Sequence, residues 1–452
     1  MNKKKRKIKK KNLAIFLLVS VIIFLVILFN QSGKNFDNGV SFDGASEDYK
    51  CPDCNVILIT IDALRPDHLG CYGYERNTSP NIDKLAKEGV LFTQAISQAS
   101  WTGPSIRSLI SSTYPSTTGV YFWDQILSDL TPTLTQILKK EGFYTGFISA
   151  HGGLPDINEF DTFEDILGAK GDVITKKAAL WIEKNQNKQF FLWIHYMDTH
   201  DRSIGVPIEK QSIENITPEE IKIYSSKYDE AINYVDSQIA CLLEELKEGG
   251  VYNNTIIIIT ADHGEEMCEH SICFSHGGYV WDSLIRVPLV FYYPNAPHKG
   301  KVILSQVQLI DIAPTVCDIL KIKKQKTFEG KSLLPLIEGK DISSDYAFSE
   351  HKENQDDLST GDWVYTKISI RSTEWKLVYY MDRQGGKEYQ LYNLKNDPQE
   401  LNNLADIEKD QFKLMKAKLE EYMTRAKQNI SSSIKPLDEE TKEKLRSLGY
   451  LQ

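Results

Sequence analysis

No stretch of this 452-residue chain repeats and no low-complexity tract follows its first residues, which excludes a repeat array and a disordered polymer. With 41% apolar and 25% charged residues it has the side chains for one large core or two smaller ones. A basic surplus is also missing. The formal charge is -9, and because Lys3, Lys4, Lys5, Arg6, Lys7, Lys9, Lys10 and Lys11 put eight cations at the start, the remainder carries -17. That acidic remainder gives no general footprint for nucleic acid, so an anionic substrate must be held locally, by metal or hydrogen bonds. Cysteines are few and odd in number: Cys51, Cys54, Cys71, Cys241, Cys268, Cys273 and Cys317 leave at least one thiol unpaired within a monomer. Cys51-Pro-Asp-Cys54 has no second pair of matching spacing downstream, which favours a local disulfide over a redox pair or half of a zinc site.

One long apolar run is present. Leu13 to Phe29 reads LAIFLLVSVIIFLVILF without a charge, and a helix of that length reaches ~25 Å, slightly under one hydrocarbon thickness. The basic residues before it should stay cytoplasmic, which predicts a single-pass cell-membrane anchor with the rest of the chain extracytoplasmic. No small-x-small site follows Phe29 closely and no Cys stands there for lipidation, so the anchor is preferred to a cleaved signal peptide. The expected organisation is a basic cytoplasmic segment (1–11), a transmembrane anchor (12–30), a linker (31–53), a catalytic domain (54–344) and a C-terminal subdomain (345–452).

Beyond the linker, β-rich runs (Asn55 to Ile61, Phe143 to Ser149, Phe190 to Tyr196, Thr255 to Thr260, Val287 to Tyr293) are interspersed with helical patterns. That alternation predicts an α/β fold, a mainly parallel central sheet with helices on both faces. The clearest helix starts at Thr217-Pro-Glu-Glu220, a capping box with Pro at the first helical position, and should stop at Gly249-Gly250. Its stripe Ile221, Tyr224, Tyr228, Ile232, Val235, Ile239, Leu242 and Leu246 buries one face. After about Ser344, short strands (Thr366 to Arg371, Trp375 to Tyr380, Glu388 to Tyr392) and a helix from about Asp410 to Lys427 predict a small α+β subdomain.

Three apolar runs end in side chains that bind metals. They lead to Asp62, to Asp198-Thr-His200, and to Asp262-His263-Gly264-Glu265. In open α/β sheets ligands collect beyond the carboxyl ends of strands. One such carboxylate would be an ordinary cap or turn residue; three in one chain, twice with a His beside them, indicate a site. A fourth element, Ser100-Trp-Thr102-Gly-Pro104-Ser105-Ile-Arg107, puts Thr102 at or before a helix cap, since Pro104 fits a first turn.

From about Asn55 to Leu451 the chain resembles the sulfatases of the alkaline phosphatase superfamily. The opening Asn55-Val-Ile-Leu-Ile-Thr-Ile-Asp62-Ala-Leu-Arg-Pro-Asp-His-Leu-Gly70 is similar to the family's first strand and metal-binding Asp. Thr78-Ser-Pro80-Asn81-Ile-Asp83, Ala261-Asp262-His263-Gly264-Glu265, Ser275-His276-Gly277, Asp397-Pro-Gln-Glu400-Leu-Asn-Asn403 and Leu448-Gly-Tyr450 come next, in the family's order. The resemblance implies Asp62, Asp262 and His263 as ligands of a divalent metal (Ca, Mg, Mn or Zn), Thr102 at the nucleophile position, and His200 and His276 facing the ester. Asp198 would bind a second metal or orient His200. The implied partner is a small anionic ester, such as a sulfated or phosphorylated sugar or lipid head group.

The chain also departs from that pattern. Better-known sulfatases carry C-x-P-S-R, or Ser for that Cys, which is matured to formylglycine; here the segment is Thr102-Gly-Pro-Ser-Ile106-Arg107. Thr cannot become that aldehyde, Ile106 holds the motif's Arg position, and Arg107 lies about 100° further round a helix. Ala63 stands where many relatives have a second metal-binding Asp, and the Lys usual after the Phe143 to Ser149 strand is missing, with His151 nearby but out of register. His263 and His276 enrich the site in imidazole, which suits Zn or Mn better than Ca. A Thr nucleophile is the pattern of the superfamily's phosphodiesterases, phosphonate hydrolases and phosphoryl transferases. The expected function is a metal-dependent hydrolase of sulfate, phosphate or phosphonate esters. Its rivals are a membrane-anchored phosphoryl-group transferase and an inactive, surface-tethered ligand-binding relative.

Overall fold

A computed structural model of the chain describes residues 47–123, 125–153, 159–294, 299–340, 346–353, 365–382, 384–429 and 435–436. The expected cytoplasmic segment, the membrane anchor, most of the linker and the Leu448-Gly-Tyr450 tail lie outside them. Among the described residues no helix is long and apolar enough to cross a membrane. Cys51 and Cys54 form the expected local disulfide, and a second joins Cys268 to Cys273, leaving Cys71, Cys241 and Cys317 as thiols.

Runs of β-branched and aromatic residues that are buried at every position can only be strands covered on both faces. Asn55–Ile61 (β1), Phe190–Tyr196 and Thr255–Thr260 are of this kind. They form the centre of an eight-stranded sheet. With Val90–Ile96 as β2, Tyr144–Ser149 as β3, Thr162–Asp165 as β4, Phe190–Tyr196 as β5, Thr255–Thr260 as β6, Arg286–Tyr292 as β7 and Lys301–Gln308 as β8, the order is β8-β2-β7-β6-β1-β5-β3-β4. All neighbours are parallel except at β7, which runs antiparallel to both β2 and β6. In the central register Thr60 of β1 lies opposite His195 of β5 and Thr260 of β6. Asp62 and Asp262, each two residues beyond those threonines, therefore leave the sheet at the same level.

Two helices matter for the site. Thr102–Ser111 (α1) is buried along its whole length. Pro218–Glu248 (α2) starts with the predicted capping box, in which Thr217 accepts from Glu220 N–H and the Glu220 carboxylate accepts from Thr217, and ends against Gly249. Tyr228 on its buried face donates its hydroxyl to the Ala63 carbonyl at 2.7 Å and accepts Arg65 N–H at 2.9 Å, so this scaffold helix holds the loop after β1.

The C-terminal part contributes a four-stranded antiparallel sheet, Ala347–Glu353, Tyr365–Arg371, Trp375–Met381 and Lys387–Asn393 in chain order, with the helix Lys409–Asn429 packed on it. The Asp397 to Asn403 signature ties this sheet to the rest. Glu400 is buried, accepts Asp282 N–H at 2.5 Å and pairs with the fully buried Lys376 at 2.8 Å, while Lys376 also meets Asp282 at 3.1 Å. Removing one member of a buried ion pair leaves the other uncompensated, typically at a cost of about 3–5 kcal/mol. Glu400→Ala leaves Lys376 its second partner Asp282 but takes away the acceptor of Asp282 N–H, so it should lower the denaturation midpoint by an amount equivalent to about 1–3 kcal/mol, and Glu400→Gln by less, since an amide oxygen can still accept from Asp282. Equal midpoints for Glu400→Ala and the wild type in urea unfolding would show the clasp to be dispensable.

Candidate active site

The parallel register brings Asp62 and Asp262 together, and the Ala261-Asp262-His263 turn adds the imidazole. Asp62, Asp262 and His263 each offer one ligand atom, all within 4.8 Å of one another, and none of the three side chains is exposed. His263 Nδ1 lies 2.8 Å from the Gly264 carbonyl, which accepts only if Nδ1 carries the proton. Its Nε2 is then a lone pair directed inward, 3.9 Å from Asp62 and 3.5 Å from Asp262. Asp262 Oδ1 accepts His263 N–H at 3.0 Å and Ala63 N–H at 3.4 Å. Asp62 Oδ1 and Asp262 Oδ2 are buried and have no hydrogen-bond donor. Burial pushes both carboxyls up; neighbouring imidazoles, His200 first, nevertheless hold Asp62 well below the usual range, whereas the Asp62 charge adds to burial and raises Asp262. Two apposed carboxylates with orphaned oxygens and one inward imidazole lone pair fit a divalent cation.

Thr102 faces this group. It is the first residue of α1, one place inside the expected cap, which is Trp101 in an extended conformation. Its Oγ1 donates to Asp62 Oδ2 at 3.2 Å and lies 3.2 Å from His263 Nε2. Pro104 stands in the first turn as expected. A Cβ at Gly103 would come within 3.2 Å of Arg107 Nη1 and of the Trp101 ring, so a side chain there would make those groups give by a few tenths of an ångström. The Arg107 guanidinium lies over that turn, 6.0 Å from the Trp123 ring centre, and Ile106 is core.

His200 and His276 meet edge to face with ring centres 4.8 Å apart, and His276 is 4.4 Å from His263. Together with Asp201 they form a second group of potential ligands. Asp198 belongs to neither group. Its Oδ1 accepts Gly171 N–H at 3.3 Å, at the start of the helix Gly171–Asn185, so it serves that helix. The chain turns between Met197 and His200, and the carboxylate that reaches His200 is Asp201. Ala63 contributes backbone only, in a left-handed conformation with φ 55°.

Three site residues were not assigned a role from sequence. His195 is buried in β5; its Nδ1 is 2.7 Å from Thr60 Oγ1, which also accepts the Trp193 indole N–H at 2.9 Å. Its Nε2 lies 3.6 Å from Asp62 Oδ2. A titratable side chain inside a strand buried on both faces must find a partner, and that was the available signal. Glu265 is fully buried with Oε2 3.3 Å from His276 Nδ1, and Asp201 carried no local signal at all. His151, after β3, is buried 6.2 Å from the His195 ring. A cavity of about 620 Å³ bounded by Arg65, Asp282, Arg286 and Arg371 lies elsewhere and contains none of these groups.

Residues 54–322 match the family model described as sulfatase, and residues 271–429 that of the N-sulphoglucosamine sulphohydrolase C-terminal region. The chain is similar to an ulvan-active sulfatase of Formosa agariphila, 25% identical over 417 residues that cover 80% of each chain. It is also similar to a Delta 4,5-hexuronate-2-O-sulfatase of Bacteroides thetaiotaomicron, 25% identical over 445 residues, 84% of this chain and 90% of the relative. Among solved structures, the phosphonate monoester hydrolase of Agrobacterium radiobacter shares the fold, with a TM-score of 0.70 at 20% identity over 83% of this chain and 96% of that one.

Proposed function

Because the chain belongs to the sulfatase family, we propose that it is a metal-dependent hydrolase in which the Thr102 hydroxyl attacks the sulfur or phosphorus of a small anionic ester. The observation that carries this reading is the placement of Thr102 Oγ1 at 3.2 Å from both Asp62 and His263, at the start of a buried helix. Asp62, Asp262 and His263 would hold the metal, which as a Lewis acid supplies charge stabilisation and a lowered hydroxyl pKa. Asp62 Oδ2 accepts the Thr102 hydroxyl proton in its hydrogen bond and points the oxygen lone pairs away from itself. His195 Nε2 stands 3.6 Å from Asp62 Oδ2, beyond hydrogen-bond reach but near enough to act on that carboxylate electrostatically. The N–H groups of the first turn of α1 face an anion held at Thr102. His200 or His276, on the far side, gives a proton to the departing oxygen, and water then attacks the sulfur or phosphorus of the Thr102 ester and frees the hydroxyl.

The names of the relatives, one of them a hexuronate sulfatase, favour a sulfated sugar. The Thr favours phosphorus, because a Thr sulfate lacks the elimination route that a hydrated aldehyde has. Protein made in a host without formylglycine maturation, assayed on paired aryl sulfate, phosphate and phosphonate esters, tests the reading directly. Activity on at least one series is expected, and inactivity on all three with metal bound would favour the inactive ligand-binding relative.

The cations of residues 3–11 and the apolar run Leu13 to Phe29 support a catalytic part outside the cell membrane. Protease added to intact cells should release a fragment starting within residues 31–49. Recovery of the whole chain in the soluble cytoplasmic fraction would exclude this topology.

A further inference from the structure

Trp181, Trp193 and Trp281 are core, whereas Trp101, Trp123 and Trp375 are half-buried. Trp375 belongs to the C-terminal sheet; the other two stand together at Thr102. An indole left partly in water forgoes much of the stabilisation that full burial would give it. The two meet edge to face, with ring centres 5.2 Å apart and planes at 76°. Trp101 directly precedes Thr102, and the outer carbons of its six-membered ring would stand 3.2 and 3.3 Å from a Cβ at Gly103, so the indole lies over the first turn of α1. The backbone beside it is tied to the loop that carries His276, because Gly277 N–H donates to the Ser100 carbonyl at 2.8 Å.

From Trp123 the rings continue to His151, 5.0 Å away between centres, and from His151 to His195 at 6.2 Å, beside Asp62. Four rings thus form an arc that starts at the residue before Thr102 and ends at the carboxylate its hydroxyl bonds. The anionic head of an ester at Thr102 is met by charged and polar groups. Its alcohol part, joined to that head through the departing oxygen, must lie against whatever borders the site, and on this flank that is two indoles. An indole face offers a broad polarizable surface with a negative quadrupole, which suits the C–H face of a sugar ring or an aryl ring and gains little from a short open chain. We propose that Trp101 and Trp123 form a wall on which a ring-shaped alcohol part of the ester stacks, so that cyclic esters are selected over short acyclic ones. The proposal deepens the reading of Thr102 as the point of attack and rests on it.

Benzyl and ethyl esters, of phosphate and of sulfate, have leaving groups of nearly equal basicity and differ in the ring. On the accepted head group, full-length wild type should favour the benzyl ester about tenfold or more in kcat/KM, with the difference mainly in KM. Trp123→Ala should lower that benzyl-to-ethyl ratio about tenfold, and Trp123→Phe, which keeps a ring, should retain most of it. A wild type that does not discriminate overturns the wall. A ratio unchanged in Trp123→Ala, including an equal loss on both esters, overturns it as well and leaves Trp123 a structural residue. Should Trp123→Ala fail to fold by far-UV circular dichroism, calorimetric titration of metal-loaded Thr102→Ala protein with benzyl and ethyl phosphate leaves the wall intact. Benzyl phosphate should bind about tenfold more tightly; equal affinities count against the wall. Failure of the nucleophile reading looks different: Thr102→Ala would still turn over both esters, with the benzyl preference unchanged.

Discussion

Replacing Thr102 with alanine should lower kcat on every ester by on the order of 10⁴-fold or more, the scale on which loss of a nucleophile registers, with the metal still bound. The side chain does nothing else of consequence. It is the first residue of α1 and caps nothing, so its deletion removes one hydroxyl and the two 3.2 Å contacts to Asp62 and His263. Folding should be nearly unaffected, because Trp101 and not Thr102 holds the cap position. Thr102→Ser keeps the hydroxyl and should keep part of the rate. Phosphate or phosphonate esters should be turned over at least as well as sulfates, since a Thr phosphoester is cleared by in-line attack of water. Steady-state kinetics on matched aryl esters reads all three outcomes. Sulfate strongly preferred and Thr102→Ala fully active would rule the mechanism out and point to Ser100, two residues earlier, whose buried hydroxyl has no hydrogen-bond partner.

Asp262→Asn should have the second largest effect, and its sign depends on the metal. With metal present, one of the two carboxylates goes and an amide N–H₂ can take the place of the orphaned Oδ2; affinity should fall on the order of 100-fold and turnover with it. A ligand bound only by the native state stabilises it by about 2.7 kcal/mol at one hundred times its dissociation constant, so the melting temperature of the metal-loaded variant should drop. In excess chelator the order should reverse. Burial and the Asp62 charge raise the Asp262 carboxyl above its unfolded value. A group so raised favours folding below the unfolded pKa and loses that contribution as pH rises through the folded pKa, so at neutral pH without metal the Asp262 charge opposes folding. Asn carries no charge and still accepts His263 N–H, so the stripped variant should melt at or above the stripped wild type. Calorimetry in both conditions decides it. A variant with full metal content, normal turnover and a lower melting temperature in chelator would show Asp262 to be structural.

What the sequence determined by itself is whatever depends on neighbours along the chain. The runs at β1, β5 and β6 were readable as buried strands because all but Asn55 and His195 in them are apolar or β-branched. The start of α2 was readable because Thr217, Pro218 and Glu220 complete a cap within one turn. Asp62, Asp262 and His263 stood out as polar residues at the ends of such runs, and Thr102 as the residue two places before a first-turn proline. Strands β4 and β8 were missed because their composition is mixed, whereas β2, Val-Leu-Phe-Thr-Gln-Ala-Ile, was missed despite a strand-like composition. Only the tertiary structure decided that β7 runs against the sheet, that Thr60 pairs with both His195 and Thr260, and hence that Asp62 and Asp262 leave the sheet at one level. It also sent Asp198 to the helix Gly171–Asn185 and brought Asp201, which the sequence had not singled out, to His200. The physical reason is the same each time: a local pattern fixes which face a side chain occupies, while register and loop direction, set by hydrogen bonds and packing between segments far apart in the chain, fix what that face meets.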